Sequence, residues 1–248
     1  MLRKLESIAK QAGDIILKYY NTMEIDIKIK SDGSPVTKAD LGSEQLIVSQ
    51  LKKNFSYPII TEETPIKYIE RKKWNKYWLV DPLDGTEDFI EKNDEFTVNI
   101  ALIYNNQPIL GIVYAPALDL MYTGQIKKGA YKNGKRIFNR SKRKKLIAAD
   151  SRNNSTNETI AFLNKFNVDK VIRAGSALKL CYLAEGKIDV YPRFNGTKEW
   201  DTAASHLICN EAGCKIIDIK TKKELIYHKR SSMMNNFFIT TRNNLSFL

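Results

Sequence analysis

Trp78-Leu79-Val80-Asp81-Pro82-Leu83-Asp84-Gly85-Thr86 is the stretch on which the reading of this chain turns. The apolar run Tyr77 to Val80 has the length and composition of a buried strand, and it ends on a carboxylate. Pro82 fixes the backbone after Asp81, and Gly85 permits a tight bend after Asp84, so both carboxylates can face one point. Side chains at strand ends reach a crevice from a rigid scaffold, which is where alternating α/β chains place ligand chemistry. Crowded carboxylates repel one another unless a cation lies between them. Every donor here is oxygen, with neither Cys nor His alongside, so the expected cation is hard and divalent. The backbone N–H groups of Gly85 and Thr86, opening a helix, would attract a phosphate.

Outward from that stretch, other acids also sit at the ends of apolar elements. Leu2 to Tyr20 carries Leu2, Leu5, Ile8, Ala9, Ala12, Ile15, Ile16 and Tyr19 at helical spacing. Ile25 to Lys30 alternates as a strand, and Asp32-Gly33-Ser34-Pro35 reads as a turn. Asp40 then stands as the N-cap of a helix through Leu41, Glu44, Leu46, Ile47 and Leu51. Tyr57 to Ile60 is a short strand ending at Thr61-Glu62-Glu63, and Phe96–Tyr104 with Ile109–Tyr114 forms a hairpin. The second half repeats the theme: strand Lys170–Arg173, helix Leu178–Glu185, strand Ile188–Tyr191, then Asp201 capping a helix that ends at Gly213. The expectation is an α/β chain of stacked sheets with no repeat or low-complexity linker. Its halves are residues 1–138, an α+β sub-domain with most of the acids, and 139–248, an α/β sub-domain with Asp201.

Composition bounds the function. With 248 residues and 43% hydrophobic side chains the chain can bury a real core. Three cysteines, Cys181, Cys209 and Cys214, lack CxxC spacing and read as reduced thiols, and the charged N-terminus does not read as a signal peptide; a cytoplasmic protein is expected. The uncharged stretch Phe96 to Leu118 is broken by Asn105-Asn106-Gln107-Pro108 and reads as strands rather than a membrane span. His206 and His228 are the only histidines, which argues against a His-based triad or a zinc site. A net charge of +12 favours anionic partners, and the densest run, Arg140–Lys145, reads as a solvated loop.

At these residues the chain resembles the inositol monophosphatase superfamily. Trp78 to Thr86 resembles its metal motif, and Trp200-Asp201-Thr202-Ala203-Ala204 with Glu211-Ala212-Gly213 its second signature; the likeness extends through Asp32 to Asp40 and Thr61-Glu62-Glu63. Within the superfamily the chain is most similar to CysQ-type 3′(2′),5′-bisphosphate nucleotidases, through Glu95–Ile103, Pro108–Pro116, Gly175-Ser176-Ala177-Leu178-Lys179 and Tyr191-Pro192-Arg193. Two positions depart from those relatives: Glu87-Asp88 stands where Lys-Glu is frequent, and Asn154 where a histidine is frequent.

The resemblance implies a layered α-β-α-β-α sandwich and a magnesium-dependent phosphatase holding about two or three Mg²⁺. Glu62, Asp81 and the Leu83 carbonyl would hold one ion, and Asp81, Asp84 and Asp201 another. Asp40, Thr86 and Glu62 would be catalytic, with the Asp40–Thr86 pair taking a proton from the attacking water. Gly85 and Thr86 would bind the reacting phosphate, with Glu62, Leu83, Asp84 and Asp201 lining the substrate site and Ser176, Lys179 and Arg193 meeting the nucleotide. The implied reaction converts adenosine 3′,5′-bisphosphate (PAP) to AMP and phosphate, and PAPS to APS; lithium inhibition and a role in sulfur metabolism come with it. The partner is then a small nucleotide bisphosphate and not nucleic acid, with weak peripheral contact to anionic membrane left open by the positive charge, and no oligomeric state readable. Two other readings stay open: a sibling acting on inositol or sugar phosphates, and an anion- or nucleic-acid-binding module that has lost catalysis.

Overall fold

The computed structural model describes residues 1–22, 27–30, 33–166, 168–228, 230–245 and 247. The expected strand residues Ile25 and Asp26 and the turn residue Asp32 lie outside these. Helix α1 (Leu2–Tyr20) leads into the antiparallel pair β1 (Ile27–Ile29) and β2 (Pro35–Thr37), and then helix α2 (Lys38–Asn54). A seven-stranded sheet follows, built from β3 (Ile59–Thr61), β4 (Lys76–Asp84), β5 (Thr97–Tyr104), β6 (Gln107–Ala115), β7 (Leu120–Gln125), β8 (Gly129–Lys132) and β9 (Lys135–Ile137) in spatial order. Only β3 and β4 pair in parallel there. Short helices α3 (Tyr68–Arg71) and α4 (Thr86–Ile90) flank β4. The second sheet has β10 (Ile147–Ser151), β11 (Lys170–Ala174), β12 (Val190–Arg193), β13 (Cys214–Asp218) and β14 (Phe238–Arg242) in the order β11-β10-β12-β14-β13. Helices α5 (Asn157–Lys165), α6 (Leu178–Ala184) and α7 (Glu199–Glu211) complete the chain.

The side-chain alternation of β4 explains the layering. Trp78 and Val80 point to one face, into a core shared with Leu5, Ile8 and Ile16 of α1 and Ile47 and Leu51 of α2. Tyr77 and Leu79 point to the other, into a core with α6, α7 and the inner face of the second sheet. Leu163 of α5 closes the outer face of that sheet on Ala148, Val190 and Ile239. The result is the expected α-β-α-β-α sandwich. Helix α7 lies flat on the first sheet because Gly111 has no side chain: a Cβ there would fall 2.3 Å from the Ala204 carbonyl oxygen. The hairpin between β5 and β6 turns through Asn105 and Asn106, both at positive φ, a conformation asparagine tolerates.

Several local expectations change. On α1 Tyr20, not Tyr19, is buried, its hydroxyl donating to Asp94 at 2.8 Å. Leu41 is 46% exposed, because the buried face of α2 runs through Ala39, Ser43, Ile47 and Leu51. Strand β4 does not end at Asp81 but continues to Asp84. Asp81 pairs with Asn99 and Asp84 with Thr97, so β4 carries one extra residue as a bulge. Neither Asp40 nor Asp201 is an N-cap. Thr37 and Lys198 hold those positions, and each aspartate sits three residues on, accepting the cap residue's N–H at 2.8 Å. The Arg140–Lys145 run lies outside the sheets and helices; Arg143 donates to the Gly186 carbonyl at 2.9 Å and Lys145 pairs with Asp169. Among the described residues no helix is long and apolar enough to cross a membrane, and Phe96 to Leu118 forms β5, β6 and a short 3-10 turn.

Candidate active site

The acids converge because four separate elements end at one place. The β4 bulge delivers Asp81 and Asp84, the end of β3 delivers Glu62, and the first turns of α2 and α7 deliver Asp40 and Asp201. Gly85 follows at φ 87, a left-handed conformation in which a Cβ would also press on Asp88 and Ser176, and α4 starts at Thr86. Glu62, Asp84, Gly85, Thr86 and Asp201 line one cleft of about 230 Å³ between the two sheets. Asp81, Leu83 and Asp40 are not part of its lining; each is about 1% exposed.

Burial and mutual repulsion set the charge state of these groups. Asp81 is pushed well above the usual carboxylate range by burial, then by the fields of Glu62, Asp84, Asp201 and Asp40. Burial, then Asp84 and Glu62, raises Asp201 likewise. Asp84 rises only to about 6, because burial is opposed by Lys179, the Asn99 amide and the Ala177 N–H. Lys30, missed in the sequence reading, partly offsets the excess: its ammonium lies 2.7 Å from Glu62 and 2.6 Å from Glu63.

This donor set fits a hard divalent cation. It is all oxygen, buried, and short of positive charge at Asp81. The carboxylates nevertheless each lean on a local donor. Glu62 leans on Lys30, Asp84 on the Ala177 N–H at 2.6 Å and Asn99 at 3.1 Å, and Asp201 on the Lys198 N–H. Among the described residues, no three acidic, imidazole or thiol groups close into a cage on their own. Of the predicted ligands, Glu62, Asp84 and Asp201 therefore line one cleft while Asp81 and Leu83 are buried outside its lining, and the set forms no closed coordination shell among the described residues.

The expected Asp40–Thr86 pair is present. Thr86 Oγ1 donates to Asp40 Oδ1 at 3.1 Å, while Asp40 Oδ2 accepts from the Thr37 N–H and hydroxyl at 2.8 and 2.6 Å. Burial raises Asp40 above the ordinary carboxylate value, with the hydrogen bonds from Thr37 and Thr86 opposing it. Such a group is a stronger base than a solvated carboxylate.

Ser176, Lys179 and Arg193 line the same cleft. Ser176 sits at φ 43 in the loop before α6. Lys179 is buried, not at the helix surface, and its ammonium is committed to the carbonyls of Ala174 and Ser176 at 3.1 and 2.8 Å. Burial lowers it to about 8. Arg193 reaches the carbonyls of Asn154 and Gly196, and its Nε is buried without a hydrogen-bond partner. Arg152 also lines the cleft, held by Glu95 at 2.7 Å; neither residue carries a role in the sequence analysis.

A model of the inositol monophosphatase family matches residues 1–246. The chain belongs to that family. Enzymes of the inositol monophosphatase family are phosphatases and generally metal-dependent, in keeping with the carboxylate-lined cleft. The chain is 40% identical over 243 residues to the Escherichia coli K12 3′(2′),5′-bisphosphate nucleotidase CysQ, covering 96% of this chain and 98% of that one. It is 33% identical to the Haemophilus influenzae protein of the same name, covering 96% and 91%. The crystal structure of CysQ from Bacteroides thetaiotaomicron, a bacterial member of the family, superposes with a TM-score of 0.87 at 35% identity, covering 96% of this chain and 95% of that one.

Proposed function

We propose that this phosphatase is a magnesium-dependent 3′(2′),5′-bisphosphate nucleotidase that cleaves adenosine 3′,5′-bisphosphate to AMP and phosphate, and PAPS to APS. The observation that carries the reading is the mixed charge of the cleft. Its lining holds the carboxylates Glu62, Asp84 and Asp201 together with the cations Arg193, Lys179 and Arg152, and Thr86 with its bond to Asp40. A substrate with two phosphates can place one at the carboxylates and their cations and the other at the basic side chains, whereas an inositol monophosphate has nothing for the second.

Glu62, Asp81, Asp84, Asp201 and the Leu83 carbonyl would hold the cations. When bound, they supply Lewis-acid activation of water and neutralise charge on the phosphoryl oxygens. The Thr86 hydroxyl, its proton directed at Asp40, keeps its oxygen lone pairs free to accept a proton from the attacking water as it passes its own to the carboxylate. Gly85 and Thr86 present backbone N–H groups to the reacting phosphate. Arg193, with its unpartnered Nε, takes the second phosphate. Lys179, held by two carbonyls, adds positive potential and shapes the loop rather than swinging to the ligand.

The test is phosphate release from adenosine 3′,5′-bisphosphate and from inositol 1-phosphate, side by side, in magnesium and in EDTA. Magnesium-dependent turnover favouring the bisphosphate is expected. Preference for inositol 1-phosphate would leave the carboxylate cluster its role and remove that of Arg193.

A further inference from the structure

The loop between β11 and α6 carries Ser176 and receives the Lys179 ammonium at the carbonyls of Ala174 and Ser176. It is pinned at two backbone N–H groups by carboxylates from the other sheet. Ala177 donates to Asp84 at 2.6 Å, and Gly175 donates to Glu95 Oε2 at 2.8 Å. The same Glu95 oxygen accepts from Arg152 Nη2 at 2.7 Å and Nε at 3.2 Å. One carboxylate thus ties down both cleft-lining segments of the second half that stand behind the cationic side, the loop after β10 and the loop before α6.

The packing leaves little slack. A Cβ on Gly175 would fall 2.3 Å from an oxygen of Asp88 and 2.7 Å from the Glu95 carbonyl oxygen. Asp88 is itself fixed by the Asn93 amide at 2.7 Å. Arg152, Gly175, Ser176 and Lys179 line the cleft, while Glu95 stands behind them, just ahead of β5. Its side chain therefore acts through the loop.

We infer that Glu95 is a positioning residue for substrate selection: by clasping Gly175 and Arg152 it fixes the part of the cleft that receives the second phosphate. The inference rests on the nucleotidase reading above. Loss of the clasp loosens the loop at Gly175 and leaves the guanidinium only its 3.9 Å pairing with Asp88, while Ala177 keeps its bond to Asp84 and Asp81, Asp201, Glu62 and the Asp40–Thr86 pair keep their places on other elements. Two charge-assisted hydrogen bonds and one to a backbone amide are lost together, so binding of the second phosphate suffers and the chemical step does not.

The test compares wild type, Glu95→Ala, Glu95→Gln and Gly175→Ala in magnesium. It reads kcat and KM for adenosine 3′,5′-bisphosphate, and the inhibition constant of inorganic phosphate, which probes the carboxylate half alone. Glu95→Ala is expected to raise KM about 10- to 100-fold with kcat and the phosphate inhibition constant within about 3-fold. Glu95→Gln keeps an acceptor for the Gly175 N–H and should recover most of the KM, and Gly175→Ala, which drives the loop off Asp88, should resemble Glu95→Ala. A fall in kcat with unchanged KM, or equal weakening of bisphosphate and inorganic phosphate, would overturn the clasp while leaving the nucleotidase reading intact. Wild type favouring inositol 1-phosphate over the bisphosphate would instead remove that reading, and the clasp's role in selection with it.

Discussion

Two aspartates in this molecule are equally buried and oppositely treated. Asp189, at the foot of β12, is 0% exposed, yet it accepts from the Ser141 hydroxyl at 2.5 Å and the Ile147 N–H at 3.0 Å and pairs with Arg242 at 3.1 Å and Arg143 at 3.5 Å. Asp81, 1% exposed, accepts the Leu83 N–H at 3.1 Å and otherwise faces the fields of Glu62, Asp84, Asp201 and Asp40. A buried charge without compensation is expensive, so a fold keeps one only where something outside the chain completes it. Asp189 is compensated within the fold and joins the second sheet to the basic run. Asp81 has no cationic partner of its own among the described residues, which is the position the proposed metal site would fill.

The sharpest break in that contrast is Asp81→Asn. Turnover is expected to fall by about 10³ or more, since several kcal/mol of charge stabilisation go with the cation. The melting temperature in EDTA should hold or rise, because a repelled charge has been removed. Asp189→Asn should do the reverse. Leaving Arg242 and Arg143 unpaired is expected to destabilise the fold by about 3–5 kcal/mol in denaturant titration, with activity per folded molecule retained. Thr86→Val, which keeps shape and removes the hydroxyl, should lower kcat about 10²-fold with KM unchanged in steady-state assays.

The smallest effect concerns the cationic side. Burial lowers Lys179 from 10.5 to about 8, so the folded protein gives up that proton at a pH where the unfolded chain still holds it. Unfolding then takes up a proton between roughly pH 8 and 10.5, and this group's contribution to stability rises with pH across that window. Loss of the positive charge acts the other way on binding. KM for the bisphosphate should climb a few-fold above about pH 8 in a pH series and stay level in Lys179→Met.

Most of the layering and the carboxylate set were legible in the sequence, because both are written in local patterns. The short continuous apolar run Tyr77 to Val80 read as a buried strand, and the acids stood where apolar runs stop. The two misread caps share one cause. Asp40 and Asp201 look like N-caps from their position before a helical run, but the chain had already turned helical at Lys38 and Glu199, leaving each aspartate as the third helical residue. The β4 bulge was hidden because register depends on β5, a partner the run Val80–Asp84 does not reveal. Lys30, Glu95 and Arg152 were missed for the same reason. Their roles come from partners 32, 80 and 57 residues away, separations no local pattern encodes.

The contrast between the two aspartates predicts that the acids around Asp81 bind a divalent cation and that Asp189 does not. The direct test is melting temperature against magnesium concentration for wild type, Asp81→Asn and Asp189→Asn. Binding to the folded state alone stabilises in proportion to the logarithm of ligand concentration. Saturating magnesium should therefore raise wild type by several degrees, raise Asp189→Asn by the same increment from a lower start, and leave Asp81→Asn unmoved. An equal shift in Asp81→Asn and wild type, or none in wild type, would contradict the account.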